Sequence, residues 1–263
     1  MISIKDFQRK FSAREPITLV TGYDYTMARI ISASTVDAIL VGDSAAMVMH
    51  GYDTTINATV DMMAAHVTAV RRGAGDKLVI ADLPFLAHRH GRRRLMLAVD
   101  AMMKAGAGAV KIEGGRAQVD SIRYVIESGI PVMGHLGLTP QSVHQLGGYK
   151  VQGRGQAAEQ VLLNDAGLLA EAGCFAIVLE MVPAPLAKQA TGQSSIPTIG
   201  IGAGPHTAGQ VLVLQDLLGM NPEFRPKFLR TYLDGFNLIR EALDRFTADV
   251  QAGEFPGPEE SFH

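Results

Sequence analysis

Acidic residues and one histidine end short apolar runs at five places along the chain. Asp43 follows Ala-Ile-Leu-Val-Gly, Asp82 follows Leu-Val-Ile-Ala, Glu113 follows Ala-Val-Lys-Ile, and Glu180 follows Ala-Ile-Val-Leu. A fifth run, Ile-Pro-Val-Met-Gly, ends on His135. Hard divalent cations prefer carboxylate oxygens, and carboxylates and imidazoles are common general acids and bases. The pattern therefore predicts metal-assisted or acid–base chemistry, provided that the fold brings these side chains together.

The runs are short and apolar, and longer helix-like stretches separate them, which is typical of parallel strands buried on both faces. The predicted strands are Ile17–Gly22, Ala38–Gly42, Leu78–Ala81, Ala109–Ile112, Pro131–Gly134, Phe175–Leu179, Pro197–Ile201 and Gln210–Leu214, the last of which also suits a helix. The predicted helices are Tyr25–Ser34, Val60–Arg72, Leu95–Lys104, Val119–Glu127, Ala157–Glu171 and Ala184–Ala190. Parallel strands place their carboxyl ends on one side, so the acids and the histidine are expected to converge there.

The β-α alternation over 263 residues predicts one α/β domain, a closed (β/α)8 barrel of the TIM type with C-terminal helices, over residues 1–263. The tail is expected to form a helical pair, Phe228–Tyr232 and Phe236–Phe246. An open doubly wound sheet is the alternative, and it usually carries a glycine-rich first turn. The first turn here, Thr-Gly-Tyr-Asp-Tyr at residues 21–25, lacks that fingerprint.

Composition narrows the class of function. The formal net charge of −2 gives no electrostatic basis for binding nucleic acid. The sequence contains no run of 18 apolar residues without a charge, so no membrane-spanning helix is predicted. Cys174 is the only cysteine, so no internal disulfide can form, and a cytoplasmic location is expected. It starts a predicted strand at the barrel end opposite the acids, which favours a core residue over a nucleophile.

Asp43, Asp82 and Glu113 are the candidate ligands of a magnesium ion. Mg²⁺ typically binds one or two carboxylates together with water and substrate oxygens, and a cation relieves the repulsion between neighbouring carboxylates. The alternative is that each acid separately caps a helix or is solvated.

Lys111, His135 and Glu180 are the other candidates for the same site. Lys111 lies two residues before Glu113 on one strand, so both point to the same side; the alternative is a lysine that snorkels between helices. Glu180 follows an apolar run, a setting that suits a general base, and its alternative is a buried ion pair. His135 is flanked by small residues that let a ligand approach, or is a structural histidine.

Three loops are further candidates for a function. Residues 200–204, Gly-Ile-Gly-Ala-Gly, follow the seventh strand, where barrels often bind phosphate. Residues 147–155 hold four glycines and form either a lid or a mobile loop. The basic run 88–94 is either a solvated helix start or an anion-holding patch.

Ordered motifs along nearly the whole chain resemble the ketopantoate hydroxymethyltransferase family. They include Val-Gly-Asp-Ser at 41–44, Ala-Asp-Leu-Pro-Phe at 81–85, Val-Lys-Ile-Glu-Gly-Gly at 110–115 and Gly-His-Leu-Gly-Leu-Thr-Pro-Gln-Ser at 134–142. The first turn, the two glycine loops and the closing Ser-Phe-His also match. Ala45-Ala46 stands where the family usually shows Leu-Gly, and the run 89–94 is more basic than usual.

The resemblance implies a barrel like those of phosphoenolpyruvate mutase and isocitrate lyase. It implies transfer of a hydroxymethyl group from 5,10-methylenetetrahydrofolate to 3-methyl-2-oxobutanoate through a magnesium-stabilised enolate, giving 2-dehydropantoate for pantothenate biosynthesis. Asp43, Asp82 and Glu113 would surround Mg²⁺. Asp43, Ser44, Asp82, Lys111 and His135 would contact the substrate, and Glu180 would accept the proton.

The partners implied are the keto acid, the folate and further copies of the chain in a homo-oligomer, a decamer by family resemblance, with no nucleic acid and no membrane. One alternative is a magnesium-dependent C–C lyase or mutase acting on a related 2-keto acid. Lyases of that group use a cysteine in a mobile loop, which Cys174 does not match. A non-catalytic binding module is a second alternative, and it would more naturally lack the strand-end acids.

Overall fold

A closed barrel of eight parallel strands forms the larger part of the computed structural model, which describes residues 3–262. The strands, neighbours in chain order, are β1 (Ile17–Thr21), β2 (Ala38–Val41), β3 (Leu78–Asp82), β4 (Ala109–Glu113), β5 (Val132–Gly137), β6 (Ala176–Glu180), β7 (Thr198–Ile201) and β8 (Gly209–Leu212). β8 pairs in parallel with β1 and closes the barrel. The predicted (β/α)8 barrel is confirmed, and the ambiguous eighth segment is a strand.

Helices alternate with the strands. They are α1 (Ile4–Ala13), α2 (Tyr25–Ser32), α3 (Ala45–Val48), α4 (Val60–Gly73), α5 (Gly91–Lys104), α6 (Val119–Glu127), α7 (Val143–Leu146), α8 (Gln156–Glu171), α9 (Ala184–Gln193), α10 (Leu214–Leu217) and α11 (Gly235–Ala252). Short 3₁₀ turns lie at Thr55–Asn57, Arg116–Gln118, Pro140–Ser142 and Pro258–Glu260. The predicted tail helix Phe228–Tyr232 is wrong, because the segment forms no helix. So short a segment gains too few helical hydrogen bonds to offset nucleation.

The barrel interior is apolar toward the strand starts and polar toward the strand ends. One buried cluster collects the interior side chains Ile17, Leu19, Ala38, Leu40, Leu78, Ile80, Ala109, Met133, Ala176, Val178, Ile199 and Val211. Alternate residues of a strand share a face. The next residues on the same face are Asp82, Lys111, Glu113, His135 and Glu180.

Helix α1 closes the amino-terminal end of the barrel. Its Phe7 is 1% exposed and belongs to the interior cluster. The Phe7 ring packs edge-on against Phe175, with ring centroids 5.5 Å apart, just before β6 begins. Two aromatic rings therefore cover the apolar interior at this end of the barrel. The polar side chains lie at the opposite end.

In addition to the compact unit of residues 1–213, the chain forms a second compact unit of residues 214–263. Within it, the backbone N–H of Tyr232 donates to the carbonyl of Leu217, and the N–H of Gly235 donates to that of Leu218. Helix α11 carries a row of exposed apolar side chains at alternating spacings of three and four: Phe236, Ile239, Leu243, Phe246 and Val250. No helix among residues 3–262 is long and apolar enough to cross a membrane.

Candidate active site

Five predicted site residues lie at or near the ends of four neighbouring strands and share the interior face of the barrel. Strand register places Asp82 opposite Lys111, and Glu113 opposite His135. These four side chains are buried, whereas the side chain of Glu180 keeps 18% of its surface exposed. Neighbouring parallel strands thus stack the charged groups side by side at the carboxyl-terminal mouth, and Glu180 is the member that solvent reaches.

Lys111 is held as a cation between carboxylates. Its Nζ lies 3.1 Å from Asp82 Oδ1 and 3.8 Å from Glu113 Oε1. Burial alone would lower the pKa of Lys111, but the charges of Asp82, Glu113 and Asp43 outweigh it and raise the pKa. A buried ammonium in this position can face a substrate oxyanion as well as the carboxylates.

His135 joins Glu113 to Glu180. Its Nδ1 lies 3.2 Å from Glu113 Oε1, and its Nε2 lies 3.3 Å from Glu180 Oε2. Burial and Lys111 lower the pKa of His135, but the attraction of Glu113 and Glu180 dominates and raises it to about 9. The imidazole is therefore protonated on both nitrogens near neutral pH. Its contact with Lys111 Nζ at 3.1 Å brings two cations together rather than forming a hydrogen bond.

The carboxylate of Glu113 is stabilised in its ionised form. Burial would raise the pKa of Glu113, but His135 and Lys111 outweigh burial and lower it. Its second oxygen, Oε2, accepts the backbone N–H of Gln141 at 3.1 Å. Glu113 is thus the anion that keeps Lys111 and His135 together.

Asp43 lies in the turn between β2 and α3, directly after the barrel strand. Its backbone N–H donates to Asp82 Oδ2 at 3.1 Å, and its own Oδ2 accepts the side-chain amide of Gln141 at 2.8 Å. Burial, with the charge of Asp82 next, raises the pKa of Asp43 well above its usual range. Burial also raises the pKa of Asp82, against the opposing pull of Lys111. Burial is the main cause of both shifts, and neighbouring carboxylates add to it.

Tyr23, which follows β1, and Ser44, which follows β2, extend the site. The Ser44 hydroxyl lies 2.7 Å from the Tyr23 hydroxyl, and Tyr23 is only 1% exposed. Gly42 leaves the space for this approach, since a Cβ there would lie 2.8 Å from Ser44 Oγ and 3.6 Å from Asp82 Oδ2. The glycine before Asp43 therefore lets the serine hydroxyl pack beside the carboxylates.

Sequence reasoning did not single out two functional residues, Gln141 and Tyr23. Gln141 binds Glu113 through its backbone and Asp43 and the Leu83 carbonyl through its amide, so it ties three strand ends together. It stands in the Gly-His-Leu-Gly-Leu-Thr-Pro-Gln-Ser stretch and Tyr23 in the first turn, so the motifs were a signal. Their individual contacts depend on loop conformation, which residue spacing does not predict.

The residues at the mouth fit a hard divalent cation. Asp82 Oδ1 and Glu113 Oε1 are buried and accept no hydrogen bond, although each forms an ion pair. A cation would also relieve the charge excess at Asp43 and Asp82. Within residues 3–262, no three His, Cys, Asp or Glu side chains lie close enough to hold a metal ion together. Mg²⁺ typically binds one or two carboxylates directly and fills its other positions with water and substrate oxygens.

The loop of residues 147–155 lies near these charges. The Tyr149 hydroxyl donates to Met47 Sδ at 3.9 Å, and the Gln152 N–H donates to the Met181 carbonyl at 2.8 Å beyond β6. Burial, followed by the charges of Glu180, Asp43 and Glu113, raises the pKa of Tyr149. The loop thus bridges the regions after β2 and β6.

The side chains of the basic run have different neighbours. The Arg89 guanidinium faces the side-chain amide of Gln118, and the Arg92 guanidinium lies 4.6 Å from the centroid of the Tyr124 ring. Arg94 and His90 line a separate cavity of about 320 Å³. Two of the four arginines in the run are therefore held by neighbouring side chains.

Cys174 is placed as a core residue. It is 2% exposed and precedes β6, at the end of the barrel opposite the charged mouth. Burial raises the pKa of its thiol to about 12, so the thiolate is not accessible near neutral pH.

Comparison with known proteins places this site in a family. The family model described as ketopantoate hydroxymethyltransferase matches residues 1–258. The chain belongs to the ketopantoate hydroxymethyltransferase family. A relative from Bdellovibrio bacteriovorus, named 3-methyl-2-oxobutanoate hydroxymethyltransferase, is 55% identical over 262 residues, covering 100% of both chains. A relative of the same name from Coxiella burnetii is 56% identical over 252 residues, covering 95% of each chain.

Solved structures confirm the barrel type. A 2,3-dimethylmalate lyase, described as a member of the phosphoenolpyruvate mutase/isocitrate lyase superfamily, superposes with a TM-score of 0.62 at 17% identity. The match covers 100% of this chain and 93% of the lyase. At this identity the likeness shows the fold alone, and the predicted phosphoenolpyruvate mutase/isocitrate lyase-like barrel is confirmed.

Proposed function

We propose that this member of the ketopantoate hydroxymethyltransferase family transfers a hydroxymethyl group from 5,10-methylenetetrahydrofolate to 3-methyl-2-oxobutanoate. The product is 2-dehydropantoate, a precursor of pantothenate, and one water supplies the new hydroxyl oxygen. The family match and the shared name of relatives at 55% and 56% identity support this activity. The observation that carries it is the cluster of Asp82, Lys111, Glu113, His135 and Glu180 at one mouth of the barrel.

The carboxylates are proposed to hold a magnesium ion and, with their neighbours, the keto acid. Asp43, Asp82 and Glu113 would bind the ion, one or two directly and the others through water. When bound, magnesium supplies Lewis-acid polarisation of the keto acid, worth several kcal/mol. We assign binding of the keto acid to Ser44, Lys111 and His135 together with Asp43 and Asp82.

Glu180 is proposed to remove the proton from C3 of the keto acid. It is the most solvent-accessible of the strand-end acids, and its Oε2 lies 3.3 Å from Nε2 of His135. The ammonium of Lys111 would stabilise the negative charge that develops on the keto acid oxygen. Water would release the methylene carbon from both folate nitrogens as formaldehyde and leave tetrahydrofolate. The C3 carbon would then add to the formaldehyde carbon, and the formaldehyde oxygen would take up the proton removed from C3 to become the new hydroxyl group.

Product analysis tests the proposed function. The purified protein with Mg²⁺, 3-methyl-2-oxobutanoate and 5,10-methylenetetrahydrofolate should form 2-dehydropantoate, detected by mass spectrometry. Omission of the folate should abolish product. No 2-dehydropantoate, together with cleavage of a larger 2-keto acid, would instead favour the lyase alternative. The family match does not favour that alternative, because the lyase shares only the fold.

A homo-oligomer is proposed for the assembled protein, with a decamer as its expected size. The exposed apolar row on α11 supports it, because a contiguous apolar surface of this kind usually marks an interface. A cytoplasmic location remains our prediction from the cysteine content.

A further inference from the structure

Two histidines in the segment between β2 and β3 face each other through ring nitrogens. The proposed reaction does not use either of them. His50 follows α3, His66 lies on α4, and their Nε2 atoms are 2.8 Å apart. The rings meet nearly edge to face, with centroids 5.1 Å apart and an interplanar angle of 79°. His66 is half-buried, whereas His50 is exposed and free to adjust.

The tautomer of His66 follows from its other nitrogen. Its Nδ1 lies 2.6 Å from the backbone carbonyl oxygen of Tyr23, which can only accept a hydrogen bond. Nδ1 therefore carries the proton, and the lone pair of Nε2 points at His50. Histidines that bind metals usually donate their second ring N–H to a carbonyl or carboxylate in this way.

We propose that His50 and His66 form a site for a borderline transition-metal ion such as Zn²⁺, distinct from the carboxylate cluster. Imidazole nitrogen suits zinc, copper and nickel, whereas magnesium prefers oxygen, so the two sites select different ions. Water fills the remaining positions, since residues 3–262 provide no set of three His, Cys, Asp or Glu ligands.

The geometry requires a small movement. Tetrahedral zinc with bonds of about 2.0–2.1 Å to nitrogen separates its two nitrogen ligands by about 3.3 Å. The two Nε2 atoms must therefore move apart by roughly half an ångström from their 2.8 Å separation. The exposed ring of His50 can make this shift, while His66 stays fixed by the Tyr23 carbonyl.

Zinc titration calorimetry of the magnesium-saturated protein tests the site. Wild-type protein should bind one Zn²⁺ per chain at this site. His50→Gln should weaken zinc affinity by about tenfold or more, because loss of a direct ligand should cost at least as much as loss of a residue that only hydrogen-bonds to a ligand. His206→Gln removes another exposed histidine, and Asp82→Ala disrupts the proposed magnesium site; both should leave zinc affinity unchanged. Equal zinc affinity in His50→Gln and wild type, or loss of zinc binding in Asp82→Ala, would overturn the proposal. Neither outcome depends on the transferase activity.

Discussion

At the scale of single residues, the site is defined by an imbalance of charge. Asp43, Asp82, Glu113 and Glu180 face two cations, Lys111 and His135. Glu113 contacts both cations, whereas Asp43 and Asp82 lie buried beside each other, and burial raises the pKa of each. A divalent ion at these aspartates would balance the cluster, which is the physical basis of the proposed magnesium site.

Substitution of Asp82 tests the proposed magnesium site most directly. Asp82→Ala should abolish magnesium-dependent turnover and weaken magnesium binding, because it removes a buried carboxylate beside Asp43 and Lys111. Magnesium titration and circular dichroism would separate metal loss from unfolding. Asp120→Ala, at an exposed acid on α6, is the control and should bind magnesium as wild type does. Full magnesium affinity in Asp82→Ala would remove this residue from the ligand set.

His88 provides a prediction about stability and pH. It is 8% exposed, its Nδ1 lacks a hydrogen-bond partner, and burial, with the charge of Arg89 next, lowers its pKa to about 4. Below about pH 6.5 the unfolded chain binds a proton at this imidazole while the folded chain does not, so stability falls as pH drops toward 4. Between pH 7 and pH 5 the loss from His88 should be about 1–2 kcal/mol.

Urea unfolding at both pH values measures this effect. The free energy of unfolding of His88→Gln should fall less between pH 7 and pH 5 than that of wild type. His90→Gln, at the exposed neighbour, should keep the wild-type difference. An unchanged pH difference in His88→Gln would show that this imidazole is not held neutral.

At the scale of elements, the end of β5 positions the end of β6. Gly137 has φ +92°, and a Cβ there would overlap the carbonyl oxygen of Glu180. The N–H of Leu138 donates to the same carbonyl at 2.8 Å. The path of the chain after His135 therefore fixes the backbone that carries the proposed base.

Gly137→Ala should destabilise the protein by more than about 4 kcal/mol or prevent folding, because the clash involves backbone atoms. Gly129→Ala is a matched control, since Gly129 has φ +87° and no atom within 4 Å of its Cβ position. That substitution should cost only about 1–2 kcal/mol for the left-handed conformation. Similar losses in thermal or urea unfolding for both variants would show that φ, rather than contact with Glu180, sets the cost.

The sequence predicted the strands well because each is a short apolar run ended by a polar residue and separated from the next by a helical pattern. It missed α1, although Ser3 and Asp6 form a capping box there. It predicted a tail helix that does not form. The assembly of Asp82, Lys111, Glu113 and His135 followed from strand ends and parity, whereas the bridging role of Gln141 depends on the conformation of the Pro140–Ser142 turn.

At the scale of the whole molecule, the exposed row on α11 predicts self-association. Leu243→Glu combined with Phe246→Glu places two charges in the middle of the row and should reduce the mass measured by light scattering after size exclusion. Ala248→Glu adds a charge on the opposite side of the helix and should keep the wild-type mass. A wild-type mass for the double variant would exclude this row as the main interface.

The proposed activity rests on proton removal at C3 of the keto acid by Glu180. Exchange of that proton in deuterated water, followed by NMR with Mg²⁺ and without folate, measures the step alone. Glu180→Gln keeps the shape of the side chain but removes the basic oxygen, and loss of a general base typically costs about 10²–10⁴ in rate. Glu127→Gln, at an exposed glutamate ending α6, should exchange as wild type does. We predict magnesium-dependent exchange that falls by about 10²–10⁴ in Glu180→Gln. Exchange at the wild-type rate in that variant would contradict the assignment of Glu180 as the base.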